Sequence, residues 1–157
     1  MSKADTRQVF CKDLIAGVGQ SSVLTSDTDV WAYGQDNSRK HVKPSAVVLA
    51  ENPSQVKTTV RLCYQHGIPL TVRGRGTGTA GGAIPSSNGI VLSLERMDKV
   101  LRVDPANRFA QVEAGVLNQT VQDAVAVSGF FWPPDPTSAA FCTVEAMSPS
   151  TPQARVR

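Results

Sequence analysis

The sequence has 157 residues, enough for a single domain with a sizeable hydrophobic core. Hydrophobic residues make up 41% and charged residues 18%, a balance that excludes a disordered tail or a fibrous repeat. The net charge of +3 comes without a long run of Lys or Arg, which argues against nucleic acid as a partner and suits a small anionic ligand.

No segment has the apolar length of a signal peptide or of a transmembrane helix. The three cysteines, Cys11, Cys63 and Cys142, are too scattered for a disulfide framework and form no C-x-x-C pair. Reduced thiols of this kind are typical of a cytosolic protein. We therefore expect a soluble, cytoplasmic protein.

The first predicted element is a weak amphipathic helix within about the first 25 residues, whose apolar side carries Val9, Phe10, Leu14 and Ile15. A polar, irregular stretch follows over residues 25–43. The apolar run 46–49 then predicts a buried strand.

The strongest helix signal starts at Pro53, with Asn52 as N-cap and Gln55 at the capping-box position, and stops at Gly67. Its predicted apolar face consists of Val56, Val60, Cys63 and Tyr64. The run 68–72 predicts a second strand, and the order strand, helix, strand suggests a right-handed parallel βαβ unit.

Beyond a glycine-rich loop, the pattern predicts short strands over residues 90–94, 100–103 and 109–113. A second helix is predicted to begin near Asn118, to bury Val121 and Val125, and to stop at Gly129. Strands with helices at irregular intervals favour an α+β fold over an evenly alternating doubly wound one.

The glycine-rich loop, residues 73–82, is the most informative stretch, with glycine at positions 74, 76, 78, 81 and 82. Glycines allow left-handed backbone angles and bring N–H groups close to a ligand. Successive N–H groups that face one concavity bind phosphate and pyrophosphate, to which Arg73 and Arg75 can add charge and Thr77 and Thr79 hydroxyl donors. The alternative is a flexible surface loop without a ligand.

Two well-known phosphate motifs do not fit this loop. Gly76, Gly78 and Gly81 match the G-x-G-x-x-G fingerprint, and Asp98 lies about 20 residues on, where a ribose-binding acid belongs. That fingerprint requires a helix to begin at the loop, and Gly82, the Ile-Pro pair at 84–85 and Gly89 prevent one. The Gly-Lys-Ser/Thr of a Walker A loop is also absent from the sequence.

Five sequence blocks resemble, in the right order, the PCMH-type FAD-binding domain of the vanillyl-alcohol oxidase superfamily. The similarity points in particular to the branch of the glycolate oxidase large subunit and D-lactate dehydrogenase. It spans roughly residues 30–143, and its blocks are residues 44–51, 67–82, 91–101, 112–116 and the P-P-D-P-T-S of 133–138. The glycine loop and P-P-D-P-T-S together make the resemblance specific.

The resemblance implies an α+β fold in which a small subdomain with a βαβ unit is followed by the start of a mixed sheet. Residues 1–28 would form an N-terminal helix and loop, residues 29–143 a partial FAD-binding domain, and residues 144–157 a tail outside the family pattern. The implied chemistry is hydride transfer from a 2-hydroxy acid of the glycolate or D-lactate type to FAD. The substrate-binding cap region has no counterpart in this sequence.

The resemblance also assigns cofactor contacts. Residues 112–116 would lie near the adenosine half of FAD, while the other assigned residues contact its pyrophosphate, its flavin side or the length of the dinucleotide. These residues are Arg73, Gly74, Arg75, Gly76, Thr77, Gly78, Thr79, Gly81, Gly82, Pro134, Asp135 and Ser138. On turn chemistry alone, P-P-D-P-T-S can equally be a surface turn.

Covalent relatives attach FAD through a His in the glycine loop, where this sequence has Thr77, and sometimes through a Cys in a motif that Cys142 does not match. The resemblance therefore implies non-covalent FAD. His41 and His66 have no partner pattern for a metal ion or a catalytic triad, so we expect no metal and assign no catalytic residue.

The family pattern continues after P-P-D-P-T-S as T-[IV]-G-G-N-[VI]-A-E-N-A-G-G, and this sequence leaves it after Val144. If one base were missing in codon 144, restoring it would allow V-G-G-N-V-A-E-H-A-A-G. This agreement indicates that residues 145–157 are translated out of frame and that the enzyme is truncated. A genuine divergent tail is the alternative.

Two further functions stay open. The chain could be an inactive fragment, which could pair with a partner subunit or with a separately encoded C-terminal half. It could also be a non-enzymatic module that binds nucleotides or other anions.

Overall fold

We describe a computed structural model, which covers residues 3–147 and 153–155. Its α-helices are α1 Lys3–Val18, α2 Asp27–Trp31, α3 Pro53–His66 and α4 Asn118–Ala126, with short 3-10 helices at Gln20–Ser22, Ala32–Gly34 and Val144–Met147. Its strands are β1 Val23–Leu24, β2 Val47–Leu49, β3 Leu70–Arg73, β4 Ile90–Ser93, β5 Val100–Asp104, β6 Phe109–Val112 and β7 Gln153–Arg155. Among the helices so described, none combines the length and apolar character needed to cross a membrane.

The strands form two sheets. The first has the order β1-β2-β4-β3, in which β4 pairs in parallel with both β2 and β3, and β1 pairs antiparallel with β2. The second has the order β5-β6-β7 and is antiparallel. The predicted α+β class is confirmed, and β4 lies between the two strands of the predicted βαβ unit.

Both faces of the first sheet are covered. Phe10 and Leu14 of α1 and Leu62 of α3 pack with Val48 and Leu92 on one face. On the other face Val30 of α2 packs with Val47, Leu49 and Val91. Parallel strands are buried on both sides, which explains why β2 and β4 are almost continuously apolar.

The stretch 25–43, which was predicted to be irregular, contains a helix, α2, whose N-cap Ser26 accepts a hydrogen bond from the Asp29 N–H.

The ends of α3 are as predicted, but its buried face is predicted only in part: Cys63 is buried and Val56 packs against the core, whereas Val60 is 46% exposed. The Asn52 side chain accepts from the Gln55 N–H at 3.0 Å, and Gly67 ends the helix with φ 64°. The buried residues are Thr59, Leu62 and Cys63, whereas Tyr64 is 89% exposed. The polar Thr59 can be buried because its hydroxyl donates to the Gln55 carbonyl at 2.8 Å.

The second sheet packs against α4. Val121 and Val125 are buried as predicted, together with Val116, Trp132 and Val144. Strand β7 lies within the tail that leaves the family pattern and pairs with β6, Ala154 opposite Ala110.

Candidate functional site

The glycine loop, residues 73–82, leaves the carboxyl end of β3. In the register of the sheet Arg73 lies beside Ser93, and Ser93 beside Leu49, so the loop lies where three parallel strands end. In open sheets with parallel strands, ligands bind outside this edge.

A second segment, residues 33–38, is joined to the loop by hydrogen bonds. We call it the anchor segment. The Arg73 guanidinium donates from Nη1 to the carbonyls of Tyr33 and Gln35, both at 2.9 Å. Asn37 donates from its N–H to the Gly78 carbonyl at 3.0 Å and from Nδ2 to the Thr77 carbonyl at 3.2 Å. Sequence analysis missed this segment, because nothing local signals hydrogen bonds across about 40 residues.

Some carbonyl groups of the loop accept hydrogen bonds within the chain, whereas a run of its N–H groups meets no acceptor among the described residues. Besides Thr77 and Gly78, the carbonyls of Arg73 and Gly81 accept, from the N–H groups of Leu94 and Ile84. By contrast, the N–H groups of residues 75–80 donate to no acceptor within residues 3–147 and 153–155. Unpaired N–H groups on successive residues bind anions where they face the same side of a turn.

The glycines of the loop differ in whether the structure has room for a side chain in their place. A Cβ on Gly76, where φ is +68°, would collide with the Arg73 guanidinium, and a Cβ on Gly74 would collide with the Thr143 hydroxyl. At Gly78 and Gly82 no atom lies within 4 Å of an added Cβ, and φ is not left-handed. The chain itself therefore requires glycine at 74 and 76, while the space at 78 and 82 is open beside the unused N–H groups.

The two arginines of the loop lie in different environments. The Arg73 side chain is buried against the anchor segment and lies over the Tyr33 ring, 5.5 Å from its centre, while Arg75 is exposed. Burial lowers the pKa of Arg73, although the nearby Glu95 favours its charge. Burial, with the hydrogen bond and charge of Glu95, raises the pKa of Tyr33 to about 12. The charge of Arg73 thus holds the loop to the domain, and Arg75 is the cation that the loop exposes.

Asp36 of the anchor segment faces the far end of the loop. Its Oδ1 accepts from the Ser38 N–H at 2.8 Å. Burial alone would raise the pKa of Asp36, but hydrogen bonds from Ser38 and from the N–H groups of Ala83 and Gly81 lower it overall. Its Oδ2 is buried and meets no donor in good geometry among the described residues, so the interaction with Ala83 and Gly81 is a loose one. The ionised Asp36 carboxylate thus stabilises the turn at the far end of the loop.

The segment after Cys142 lies against the start of the loop. Thr143 is 1% exposed, and its Oγ1 has no hydrogen-bond partner in the described part of the chain. Glu145 donates from its N–H to the Ala114 carbonyl at 3.0 Å. Burial raises the pKa of Glu145, and a hydrogen bond from the Gly74 N–H partly offsets this. An unpartnered hydroxyl and a carboxylate therefore lie where the loop begins.

The predicted P-P-D-P-T-S segment is held by Asn118, a residue that sequence analysis did not single out. Asn118 is 2% exposed, donates from Nδ2 to the Pro134 carbonyl at 3.1 Å, and accepts at Oδ1 from Trp132 Nε1 at 2.5 Å. The Ser138 carbonyl accepts from the N–H groups of both Phe141 and Cys142. The Asp135 side chain is exposed.

The two site segments are joined through Cys142 and Thr143. The Cys142 carbonyl accepts from the Asn118 N–H at 3.0 Å, and Thr143 bridges to Leu117 and packs on Gly74.

Within residues 3–147 and 153–155, no group of three or more His, Cys, Asp or Glu side chains is placed to hold a metal ion.

Comparison with known proteins identifies the family. A family model described as an FAD binding domain matches residues 44–148. The chain belongs to the FAD binding domain family. Subunit GlcD of the glycolate oxidase of Escherichia coli (strain K12) is 33% identical over 123 residues, which is 78% of this chain and 25% of that protein. A D-lactate dehydrogenase of Anaerostipes hadrus is 38% identical over 131 residues, or 83% of this chain and 26% of that protein.

The fold agrees with this family. The structure of p-cresol methylhydroxylase with substrate bound superposes with a TM-score of 0.70 at 26% identity, over 82% of this chain and 26% of that one. The chain thus spans about a quarter of the length of the relatives that it matches. The anchor segment lies before the first residue of the family match.

FAD is the cofactor of this domain. The residues present fit its pyrophosphate: the N–H groups of residues 75–80 lack acceptors among the described residues, and Gly78 and Gly82 leave open space beside them.

Proposed function

We propose that this chain is the FAD-binding portion of an oxidoreductase that acts on a 2-hydroxy acid of the glycolate or D-lactate type. The observation that carries the proposal is the run of N–H groups at residues 75–80, which lack acceptors among the described residues, while the carbonyls of Thr77 and Gly78 accept hydrogen bonds from Asn37. Similarity to a glycolate oxidase subunit and to a D-lactate dehydrogenase supports the substrate class.

The residues of the chain bind and orient the cofactor. The N–H groups of residues 75–80 hold the pyrophosphate oxygens, with charge from the exposed Arg75 and hydroxyl donors from Thr77 and Thr79. Pro134, Asp135 and Ser138 lie along the dinucleotide, and Gly81 and Gly82 complete the turn towards the flavin. Bound FAD supplies the acceptor for a hydride from the hydroxyl-bearing carbon.

The FAD is held without a covalent bond. Thr77 stands where covalent relatives carry His, and it cannot form that attachment. The three cysteines are free, which also supports a reducing, cytoplasmic location.

We also propose that residues 145–157 are read out of frame, since restoring one base gives V-G-G-N at this place and replaces Glu145 by glycine. Sequencing the gene across these codons tests this directly. A restored frame continuing as V-G-G-N supports the proposal, and an unbroken reading of the present codons contradicts it. The relative GlcD is named as a subunit, which supports a partner subunit for the complete enzyme.

A nucleotide-binding module without redox activity is the second candidate, because unpaired N–H groups bind any pyrophosphate. The test is a titration of the full chain with FAD, with ADP and with riboflavin. Preference for FAD over ADP supports the flavoenzyme, whereas equal affinity for FAD and ADP supports the module. Failure to bind either ligand contradicts both.

The matched variants are Gly78→Ala and Ser87→Ala. A methyl group at Gly78 meets no atom of the chain, so Gly78→Ala keeps the fold but obstructs a bound phosphate. We expect the Kd for FAD to rise about tenfold, which is ~1.4 kcal/mol. Ser87 is exposed in the turn before β4, at the opposite edge of the sheet, and its replacement leaves the Kd unchanged.

A further inference from the structure

The anchor segment suggests a role for a residue outside the family match. Asn37 makes two hydrogen bonds to successive carbonyl groups of the glycine loop, from Nδ2 to Thr77 at 3.2 Å and from its N–H to Gly78 at 3.0 Å. One residue therefore fixes the direction of two consecutive peptide groups.

Peptide geometry gives the consequence. A trans peptide group is planar, and its C=O and N–H point in opposite directions. The chain has no cis peptide bond among its described residues. The N–H of Gly78 shares a peptide plane with the Thr77 carbonyl, and the N–H of Thr79 shares one with the Gly78 carbonyl. Because both carbonyls point to Asn37, both N–H groups point away from it.

We propose that Asn37 is a positioning residue that turns the N–H groups of Gly78 and Thr79 together towards the ligand side of the loop. The inference rests on the proposed function, in which these N–H groups bind the pyrophosphate of FAD. Asn37 touches neither the ligand nor a reacting atom. Its effect is to orient the two donors before the ligand arrives, so that binding does not have to order them.

The isosteric variant Asn37→Asp removes the Nδ2 donor and sets a carboxylate against the Thr77 carbonyl. Asn88→Asp is its control, since it introduces the same charge at an exposed left-handed position before β4, at the opposite edge of the sheet. We expect Asn37→Asp to raise the Kd for FAD and for inorganic pyrophosphate about tenfold relative to Asn88→Asp. The urea midpoints of the two variants should agree, because the Asn37 side chain is exposed.

A merely structural role would not change the orientation of two particular amides. The N–H resonances of Gly78 and Thr79, followed by nitrogen–proton correlation NMR on the ligand-free chain, should therefore move in Asn37→Asp and stay in place in Asn88→Asp. If Asn37→Asp fails to fold, Asn37→Ala, which removes only the side-chain bond, should raise the Kd about threefold to fivefold.

Equal affinities of the Asn37 variant and its control, or unmoved Gly78 and Thr79 resonances, would overturn the role of Asn37. Failure of the unmodified chain to bind FAD or pyrophosphate would overturn the proposed function instead. In that case the NMR comparison still decides whether Asn37 orients the loop.

Discussion

The two segments assigned to the dinucleotide, the glycine loop and residues 133–138, are built in opposite ways. In the loop the carbonyls of Arg73, Thr77, Gly78 and Gly81 accept hydrogen bonds, and the N–H groups of residues 75–80 are left as donors among the described residues. In residues 133–138 the three prolines carry no N–H, the carbonyls of Pro134, Pro136 and Ser138 accept bonds, and the exposed polar side chains are those of Asp135 and Thr137. One segment offers its backbone and the other its side chains. The loop should therefore be sensitive to changes of shape and the proline segment to changes of chemistry.

The largest effect is expected from Gly74→Ala, which breaks the contact between the loop and Thr143. The new Cβ collides with Thr143. Overpacking of this kind costs about 1–3 kcal/mol, and the displaced loop should lose FAD binding. Urea unfolding and FAD titration measure both effects. Gly82→Ala adds the same methyl in open space and should leave the free energy of unfolding unchanged; equal destabilisation by both variants would contradict the proposed contact.

Arg73→Leu should come next, because it removes the bonds that join the loop to the anchor segment. The carbonyls of Tyr33 and Gln35 lose a charged donor in part-buried hydrogen bonds, and hydrogen bonds to charged groups contribute about 1.5–3 kcal/mol. Arg75→Leu, at the exposed arginine, should keep the unfolding midpoint and weaken FAD binding. If Arg75→Leu instead lowered the unfolding midpoint, and Arg73→Leu kept the midpoint but weakened FAD binding, Arg73 would be the arginine that faces the ligand.

Asn118→Leu should disturb the proline segment and leave the loop in place. The buried indole N–H of Trp132 and the Pro134 carbonyl lose their partner, which costs about 1–3 kcal/mol. Trp132 is buried and Trp31 is 56% exposed, so the loss should also red-shift the tryptophan fluorescence of the folded chain. Gln119→Leu, one position along on the exposed side of α4, serves as control. Unchanged stability and fluorescence in Asn118→Leu would contradict the anchoring role.

The smallest effect is expected from Asp36→Asn, and it should depend on pH. The pKa of Asp36 lies below its ordinary value in the folded chain. Its ionised form therefore contributes stability that is present above the unfolded pKa of about 3.9 and is lost as the pH falls through the folded pKa. The stability difference between the unmodified chain and Asp36→Asn should vanish on acidification, whereas that of Asn118→Leu should not. If the stability difference between the unmodified chain and Asp36→Asn did not change with pH, the Asp36 carboxylate would not be what stabilises the loop.

Local signals in the sequence were enough for the elements that frame the site. Asn52, Pro53 and Gly67 mark the ends of α3 because caps depend on neighbouring residues alone. The buried face of that helix was predicted only in part, because α1 and the sheet decide it and the Gln55 carbonyl lets the polar Thr59 be buried. The density of glycines also drew attention to the loop at residues 73–82, and its pyrophosphate ligand stays a prediction.

The groups that shape the site were not accessible from the sequence. Asn37 bonds to the loop and Arg73 bonds to the anchor segment, each across about 40 residues, and Thr143 contacts Gly74 across about 70 residues. Each of these contacts is set by the way the chain returns to the loop and not by a local pattern. The contacts with FAD that the resemblance assigns to the glycine loop and to Pro134, Asp135 and Ser138 remain predictions.

The central claim is that the N–H groups of the glycine loop bind the pyrophosphate of FAD. Nitrogen–proton correlation NMR during titration with FAD tests it most directly, because each amide reports separately. We expect the resonances of residues 75–80 to move with a single Kd and those of the exposed turn at residues 106–108 to stay in place. Movement of other amides, with residues 75–80 unchanged, would contradict the claim.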